Sequence, residues 1–316
     1  MDEPSGPGAS WVAGTADQLL DTEFPPMRFL VEGLIIEAGL IILGGKKKLG
    51  KSWFALQLAR CVAEGTDFLG LSTSEGAVLY VCLEDGCRRL QARMKKQDFP
   101  RGLPVEIRTE FRCLDDGGLE DLRNLLEQDP KQLVIIDTLA ASMSGRSDEN
   151  SSRDMGPLMN KLRRIAQACD SAILLVHHHG KAESSGNAGD DLRGSSAMGA
   201  AADCYLGLYK RSNGFELEAE GRDIEELSKS ISRDRECCLW TVSMDAKERT
   251  IHSLAVRIHT ALQQEDLSRT ELRRRFAKQG DAHPLDDALE LLEKDGKATR
   301  SEEGTTGRPR EKWSGH

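Results

Sequence analysis

The stretch "GLIILGGKKKLGKSW", residues 39–53, decides the fold. An apolar run leads into glycines and lysines, and the residues from Gly45 to Ser52 fit the pattern GxxxxGK[ST] at every fixed position. Glycines let a backbone wrap anionic oxygens, the lysine reaches the β and γ phosphates, and the hydroxyl can ligate Mg²⁺. The stretch therefore predicts a phosphate-binding loop between a strand and a helix.

The sequence after the loop supports this prediction. The segment Ser52–Glu64 has amphipathic helical periodicity and Gly65 is placed to end it, so the positive end of the helix would face the phosphates. The alternative is a basic strand-to-helix turn that matches by chance. The triple lysine fills the free positions of the motif, where it would line the solvent edge and raise anion affinity. The predicted nucleotide contacts are Gly45, Lys46, Lys47, Lys48, Leu49, Gly50, Lys51, Ser52 and Trp53.

Working outward, strands and helices alternate. Continuous apolar runs are typical of strands that are buried on both faces, and helical patterns lie between them. This alternation predicts βαβ units, an α/β fold and a mostly parallel central sheet. The runs are residues 39–43, 77–84, 132–137, 171–176 and 204–209, and the helical patterns are Ser52–Glu64, Arg88–Gln97, Leu119–Glu127 and Ser151–Cys169.

Composition narrows the class of protein. The chain has 316 residues, 39% of them hydrophobic, and contains no apolar stretch near the roughly 20 residues of a membrane span. No secretory signal precedes the first strand, so we expect a cytoplasmic protein with no membrane contact. The net charge of -9 excludes nucleic-acid binding by bulk charge alone. The eight cysteines lie in apolar segments without a CxxC pair, which favours buried, reduced thiols.

Acidic residues end two of the apolar runs. Asp137 follows "QLVII", the Walker B arrangement, and we predict that it holds Mg²⁺ together with Ser52. Glu84 and Asp85 follow "VLYVCL", where Glu84 is the predicted general base. The alternative is that these two acids cap the helix that begins near Cys87.

Histidines and arginines supply further candidates. The run "HHH" ends another strand, and because strand side chains alternate, all three cannot bind one metal. His178 is expected to face the γ-phosphate, although a structural role fits it equally. Arg222 is the preferred arginine finger, with Arg193 and Arg211 as further candidates and an ordinary surface ion pair as the alternative. No guanine-reading motif is present, so ATP is the expected nucleotide.

Two long polar segments follow strands of the predicted sheet. Residues 142–154 and 180–199 are rich in Gly, Ser and charge. Loops longer than about 12 residues within a compact domain are usually functional or disordered. They follow the carboxyl ends of strands, where open α/β sheets bind ligands, so we expect them to carry function.

These motifs together resemble the RepA-like hexameric helicase ATPases of plasmids and phages, a branch of the RecA-type AAA-labelled ATPases. The resemblance implies a RecA-like P-loop NTPase core that uses ATP and Mg²⁺, a ring or filament with sites between subunits, and single-stranded DNA held by central loops. It assigns roles to Lys51, Ser52, Glu84, Asp137 and His178. Asp203 departs from the pattern, because some relatives place a trans-acting arginine there. The matching segments are residues 29–59, 79–94, 133–140, 174–181, 192–203 and 220–226.

The last 65 residues differ in character. Three helical patterns and two strand-like pieces around "GTTG" resemble a winged helix-turn-helix. The third helix carries Asp286, Asp287, Glu290, Glu293 and Asp295 against Lys294, so phosphate would repel it. Wing-led DNA contact, protein docking and a merely solvated face all remain open. The basic residues are Arg273, Arg274, Arg275, Arg300, Arg308, Arg310 and Lys312.

We therefore expect three parts: a flexible arm (1–28), a RecA-like ATPase core (29–251) and a small winged-helix domain (252–316). The leading hypothesis is an ATP-driven DNA motor of the replicative-helicase type from a mobile element. It would form a homo-oligomer, expected to be a hexamer. One alternative is an ATP-gated DNA-binding regulator or loader without strand separation, and a recombinase-like filament is another.

Overall fold

The computed structural model describes residues 14–24, 26–145, 151–178, 198, 201–211, 214–243, 246–276, 283–294, 296–303 and 310–315. Most of the predicted loop 180–199, part of the loop 142–154, and His179, Arg193, Asp295 and Arg308 lie outside the described residues. Contacts divide the chain into two units. The first comprises 1–209, 217–228 and 233–240, and the second comprises 210–216, 229–232 and 241–316.

A nine-stranded sheet forms the centre of the fold. Its spatial order is β11-β10-β9-β8-β3-β7-β6-β4-β5, and a separate antiparallel pair, β1 (Phe29–Val31) and β2 (Ile35–Ile36), precedes it. The strands are β3 (Gly39–Gly45), β4 (Val78–Cys82), β5 (Val105–Arg108), β6 (Leu133–Asp137), β7 (Ala172–Val176), β8 (Cys204–Arg211), β9 (Gly214–Gly221), β10 (Leu227–Arg233) and β11 (Trp240–Val242).

In the spatial order of the sheet, the six neighbouring strands β8, β3, β7, β6, β4 and β5 run parallel. Their register aligns the carboxyl ends of β3, β4, β6 and β7. Asp137 on β6 is level with Cys82 on β4 and Val176 on β7, and Val176 is level with Leu43 on β3. The segments that follow β3, β4, β6 and β7 therefore leave the sheet at one edge, as the sequence predicts for its motifs.

The helices of the first unit agree with the sequence pattern. All four predicted helices begin and end within one residue of the expected positions. The exposed helix α1 and two 3₁₀ turns, Leu114–Asp116 and Ala140–Ser142, were not expected. The helices are α1 (Ala16–Leu20), α2 (Lys51–Glu64), α3 (Cys87–Lys96), α4 (Gly118–Gln128) and α5 (Ser152–Ala168).

Burial on both faces explains the continuous apolar runs. Every residue of β3, β4, β6 and β7 is buried. One face packs against α4 and α5 through leucines such as Leu122 and Leu162. On α2, Phe54 meets Phe68 edge to face at 5.0 Å. α2 begins after Gly50 and ends at Gly65, whose φ of 63° is the left-handed cap that the sequence predicts.

The C-terminal unit has a core of its own. Among the residues that the structure describes there, twelve buried side chains form this core, including Trp313 and Leu289. Ser268 and Glu271 form the predicted capping box, since Ser268 N donates to Glu271 Oε2 at 2.9 Å and Glu271 N donates to Ser268 Oγ at 3.4 Å. Its elements are α6 (Ala246–Leu262), β12 (Leu267–Ser268), α7 (Arg269–Phe276), α8 (His283–Lys294), β13 (Ala298–Glu303) and β14 (Arg310–Gly315), with the sheet order β12-β14-β13.

Two sequence expectations need correction. The cysteines are not all buried, because Cys87 is exposed at the start of α3 and Cys113, Cys169 and Cys237 are partly exposed. The edge strands β5 and β11, and β10 beside β11, were not predicted. The proposed arm includes the helix α1, which a capping box at Thr15 begins. No helix in the described part of the chain is both long and apolar enough to cross a bilayer.

Candidate functional site

The loop between β3 and α2 is built around two glycines. Gly45 has a φ of 154° and Gly50 a φ of 105°, so both adopt backbone conformations that side chains disfavour. A Cβ at Gly45 would lie 2.7 Å from the carbonyl oxygen of Leu208 on the neighbouring strand. The glycines of the motif are therefore required by the backbone path as well as by space.

Lys51 starts α2 and turns back over the loop. Its side chain is 3% exposed, and its Nζ donates to the carbonyl oxygens of Gly45 at 2.6 Å and Lys46 at 3.0 Å. Burial lowers the pKa of this ammonium to about 8, while the carboxylates of Asp137 and Glu84 act in the opposite direction. The charge of Lys51 is thus held among acids at the end of the sheet.

Asp137 ends β6 and is 2% exposed. Its Oδ2 accepts a hydrogen bond from the Tyr80 hydroxyl at 2.8 Å, whereas its Oδ1 is buried and accepts none within the described residues. Burial raises the pKa of Asp137, and the hydroxyls of Ser52 and Tyr80 oppose that rise. A buried carboxylate oxygen in need of a partner, with a serine hydroxyl nearby, is a donor set that fits Mg²⁺.

Glu84 and His178 form a pair just beyond the ends of β4 and β7. His178 Nε2 lies 3.3 Å from Glu84 Oε2, and the Glu84 side chain is 57% exposed. Burial and the charge of Lys51 lower the pKa of His178, and Glu84 opposes them. His178 Nδ1 is buried with no hydrogen-bond partner in the described ranges. Each residue stands two positions beyond the strand row that contains Asp137, which explains why they meet.

The capping alternative for the acids after β4 is wrong. The N-cap of α3 is Gly86, and no side chain caps it. Asp85 is buried and instead forms ion pairs with Arg89 at 2.7 Å and with Arg93. Arg93 and Lys96 cover the ring of Trp53, with the Arg93 guanidinium carbon 5.4 Å from the ring centroid.

Sequence reasoning missed Tyr80 and Arg93. Tyr80 sits between the loop helix and Asp137, and its hydroxyl also lies 3.5 Å from Ser52 O. Burial and the Asp137 charge raise its pKa well above the ordinary value, so the hydroxyl remains a donor. A tyrosine within an apolar strand was the only available signal, because its partner depends on the register with β6.

Asp203 and the arginine candidates are placed as follows. Asp203 is 4% exposed, accepts from Leu40 N at 3.0 Å and pairs with Arg163 at 2.9 Å, so it joins β3, α5 and the start of β8. Arg211 on β8 pairs with Glu216 on β9. Arg222 follows β9 with an exposed side chain, and its backbone N–H donates to Asp203 O.

The structure therefore brings together Lys51, Asp137, Glu84 and His178 at one edge of the sheet. It places Arg222 at the end of a late strand, as expected. The order of strands around β3 allows the first four of these side chains to converge. The catalytic roles of all five residues stay predictions.

Comparison with known proteins agrees with this geometry. The profile of the family described as "AAA domain" matches residues 10–184. The chain is similar to the DNA repair protein RadA of Streptococcus pneumoniae, with 22% identity over 159 residues, which is 50% of this chain and 34% of that protein. It thus spans about a third of that relative's length.

Two solved structures show the fold. A DnaB-like replicative helicase gives a TM-score of 0.53 at 14% identity, covering 72% of this chain and 65% of that one. A solved ATPase domain gives a TM-score of 0.52 at 15% identity, covering 66% of this chain and 86% of that one. The fold is a RecA-like P-loop fold with a large, mostly parallel central sheet.

Proposed function

The chain belongs to the AAA domain family and is a P-loop ATPase, and from these premises we propose that it is an ATP-driven DNA motor of the replicative-helicase type. The observation that carries the proposal is the convergence of Lys51, Asp137, Glu84 and His178 beside a glycine loop. Its similarity to a DNA repair protein and to a DnaB-like replicative helicase supports DNA as the partner.

In the proposed hydrolysis of ATP, each side chain of the site would have its own role. Lys51 would leave the loop carbonyls and bind the β and γ phosphates. Ser52 and Asp137 would hold Mg²⁺, an ion that neutralises developing phosphate charge. Glu84 would orient the attacking water and accept its proton. His178, bonded to Glu84, would then sense whether the γ-phosphate is present and pass that information to the segment after β7.

A second subunit would complete the site. Arg222 is the proposed arginine finger, reaching the phosphate bound by a neighbour in a hexameric ring. Hydrolysis would shift the loops 142–154 and 180–199, which we propose grip single-stranded DNA. The mobile-element helicase assignment follows the resemblance to the RepA-like ATPases.

We propose that the C-terminal unit is a winged helix. The element order α6-β12-α7-α8-β13-β14 and its own buried core support this. On α7, Arg273 and Arg274 are exposed, so this helix offers phosphate contacts that the acidic α8 does not.

The alternative is an ATP-gated regulator or loader in which the C-terminal unit binds duplex DNA and hydrolysis only resets the state. The burial of Asp203 favours it, because the family position of a trans-acting arginine is here used for internal packing.

ATP turnover with no DNA, with single-stranded DNA and with duplex DNA, measured beside solution mass, tests the proposal. A motor is expected to hydrolyse faster with single strands and to assemble with ATP and Mg²⁺. Duplex binding that survives Glu84→Gln, without strand separation, would identify the regulator. A monomer whose turnover ignores DNA would reject both.

A further inference from the structure

Arg233, the last residue of β10, touches the phosphate loop. A Cβ built on Gly50 would lie 2.2 Å from Arg233 Nη1 and 3.0 Å from Trp240 Cζ2. Gly50 is the N-cap of α2, so the guanidinium lies against the first turn of the helix whose start the loop forms. A larger residue at position 50 would push this arginine away.

Buried contacts hold Arg233 in this place. Its guanidinium carbon lies 5.5 Å from the centroid of the Trp240 ring, and Trp240 is 1% exposed. The Gln57 side chain clamps the Trp240 backbone, with Nε2 donating to the carbonyl at 2.8 Å and Oε1 accepting from the amide at 2.6 Å. Phe54 meets the same indole ring at 6.4 Å.

The charge of Arg233 is unfavourable where it stands. The start of α2 carries the positive end of the helix dipole, and Lys46, Lys47, Lys48 and Lys51 add further positive charge. The described part of the chain provides Arg233 with no ion pair to a carboxylate, only the face of Trp240. An anionic ligand bound here would stabilise a cation that is held among other positive charges.

The order of strands separates Arg233 from the predicted catalytic side chains. His178, Asp137 and Glu84 follow β7, β6 and β4, which all lie on one side of β3. β10 lies on the other side, beyond β8 and β9. Arg233 therefore approaches the loop away from the groups that would act on the γ-phosphate.

We propose that Arg233 binds the α-phosphate of the bound nucleotide within its own subunit, and so anchors the nucleotide rather than stabilising the transferred group. This inference rests on the proposed function of the loop. It gives Trp240 and Gln57 a role as supports that hold the guanidinium ready. Because ATP and ADP share the α-phosphate, Arg233 should contribute equally to the affinity for both.

Arg233→Ala tests the assignment, with Arg235→Ala as the matched control, since Arg235 is an exposed arginine two residues after Arg233, in the bend that follows β10. The full-length variants are titrated with ADP and with a non-hydrolysable ATP analogue, and steady-state turnover and apo thermal midpoints are measured. Arg233→Ala is expected to weaken both nucleotides about tenfold, as a charge-assisted hydrogen bond does. KM should rise while kcat stays within about twofold, and Arg235→Ala should match the wild type.

The outcomes separate the two proposals. If the wild type binds both nucleotides and Arg233→Ala binds ADP equally well, the inference is wrong and the proposed function stands. A loss confined to ATP and kcat would make Arg233 a transition-state residue and overturn the inference. A lowered apo midpoint would show a structural role instead. A wild type that binds neither nucleotide rejects the inference and the proposed function together.

Discussion

Lys51 is the residue whose environment has the clearest consequence for solution behaviour. Its pKa of about 8 means that the ammonium begins to lose its proton just above neutral pH while the loop is empty. Phosphates favour the charged form and raise this pKa again. Binding must therefore take up a proton at any pH above the empty-loop pKa and below the bound one.

The first prediction follows from that linkage. Between pH 7.5 and 9 the nucleotide affinity should fall about tenfold, with uptake of about one proton per nucleotide at pH 9. Calorimetric titrations in two buffers of different ionisation enthalpy measure the proton count. In Lys51→Met the uptake should vanish. An affinity that is flat across this range would contradict the role of Lys51.

Glu84 carries the second prediction. Glu84→Gln keeps the shape and the contact with His178 but cannot accept a proton, so turnover should fall by about 10² or more while ATP affinity is kept. Single-turnover hydrolysis and equilibrium binding measure the two effects separately. Glu110→Gln, an exposed acid elsewhere in the first unit, is the control. Turnover close to wild type would remove Glu84 from the mechanism.

Among the elements, the junction of β3, β8 and α5 depends on one carboxylate. Asp203 receives Leu40 N–H and pairs with Arg163, so Asp203→Ala would leave a buried N–H and a cation without partners. We expect it to lower the free energy of unfolding by about 2–3 kcal/mol, measured by urea denaturation. The exposed Asp223→Ala should change it by less than about 0.5 kcal/mol. If Asp203→Ala and the wild type unfold at the same urea concentration, Asp203 does not stabilise this junction.

The same elements show what the sequence could reveal. β3, β6 and β7 are buried on both faces, so their sequences are continuous apolar runs that stand out. β5 and β10, "VEIR" and "LSKSISR", lie toward the edges of the sheet with partly exposed side chains, so polar residues are tolerated and the pattern is lost.

The residues of the candidate site also include some that the sequence predicts and others that it does not. Asp137 and Glu84 were predictable because an acid at the end of an apolar strand is costly without a partner. Tyr80, Arg93 and Arg233 were not, because their importance comes from register and from strand order, which place them beside groups far away in sequence.

At the scale of the whole molecule, the proposed ring makes a complementation prediction. Lys51→Ala and Arg222→Ala should each be inactive alone, since one lacks the phosphate lysine and the other the finger. Mixed together, they would form some interfaces that carry both wild-type residues, about a quarter in a random ring. ATPase activity should therefore reappear on mixing. Persistent inactivity of the mixture, with both variants assembled, would show that Arg222 does not act across subunits.

The hydrogen bonds from Lys51 to its own loop have one more consequence. Because the Lys51 ammonium donates to the carbonyl oxygens of Gly45 and Lys46, the chain itself supplies two contacts that fix the path of the loop. Under the proposed function, Lys51 would exchange these two carbonyl oxygens for phosphate oxygens each time a nucleotide binds. An ATP-driven motor of the proposed type would gain speed from a loop whose path is already fixed when the next nucleotide arrives.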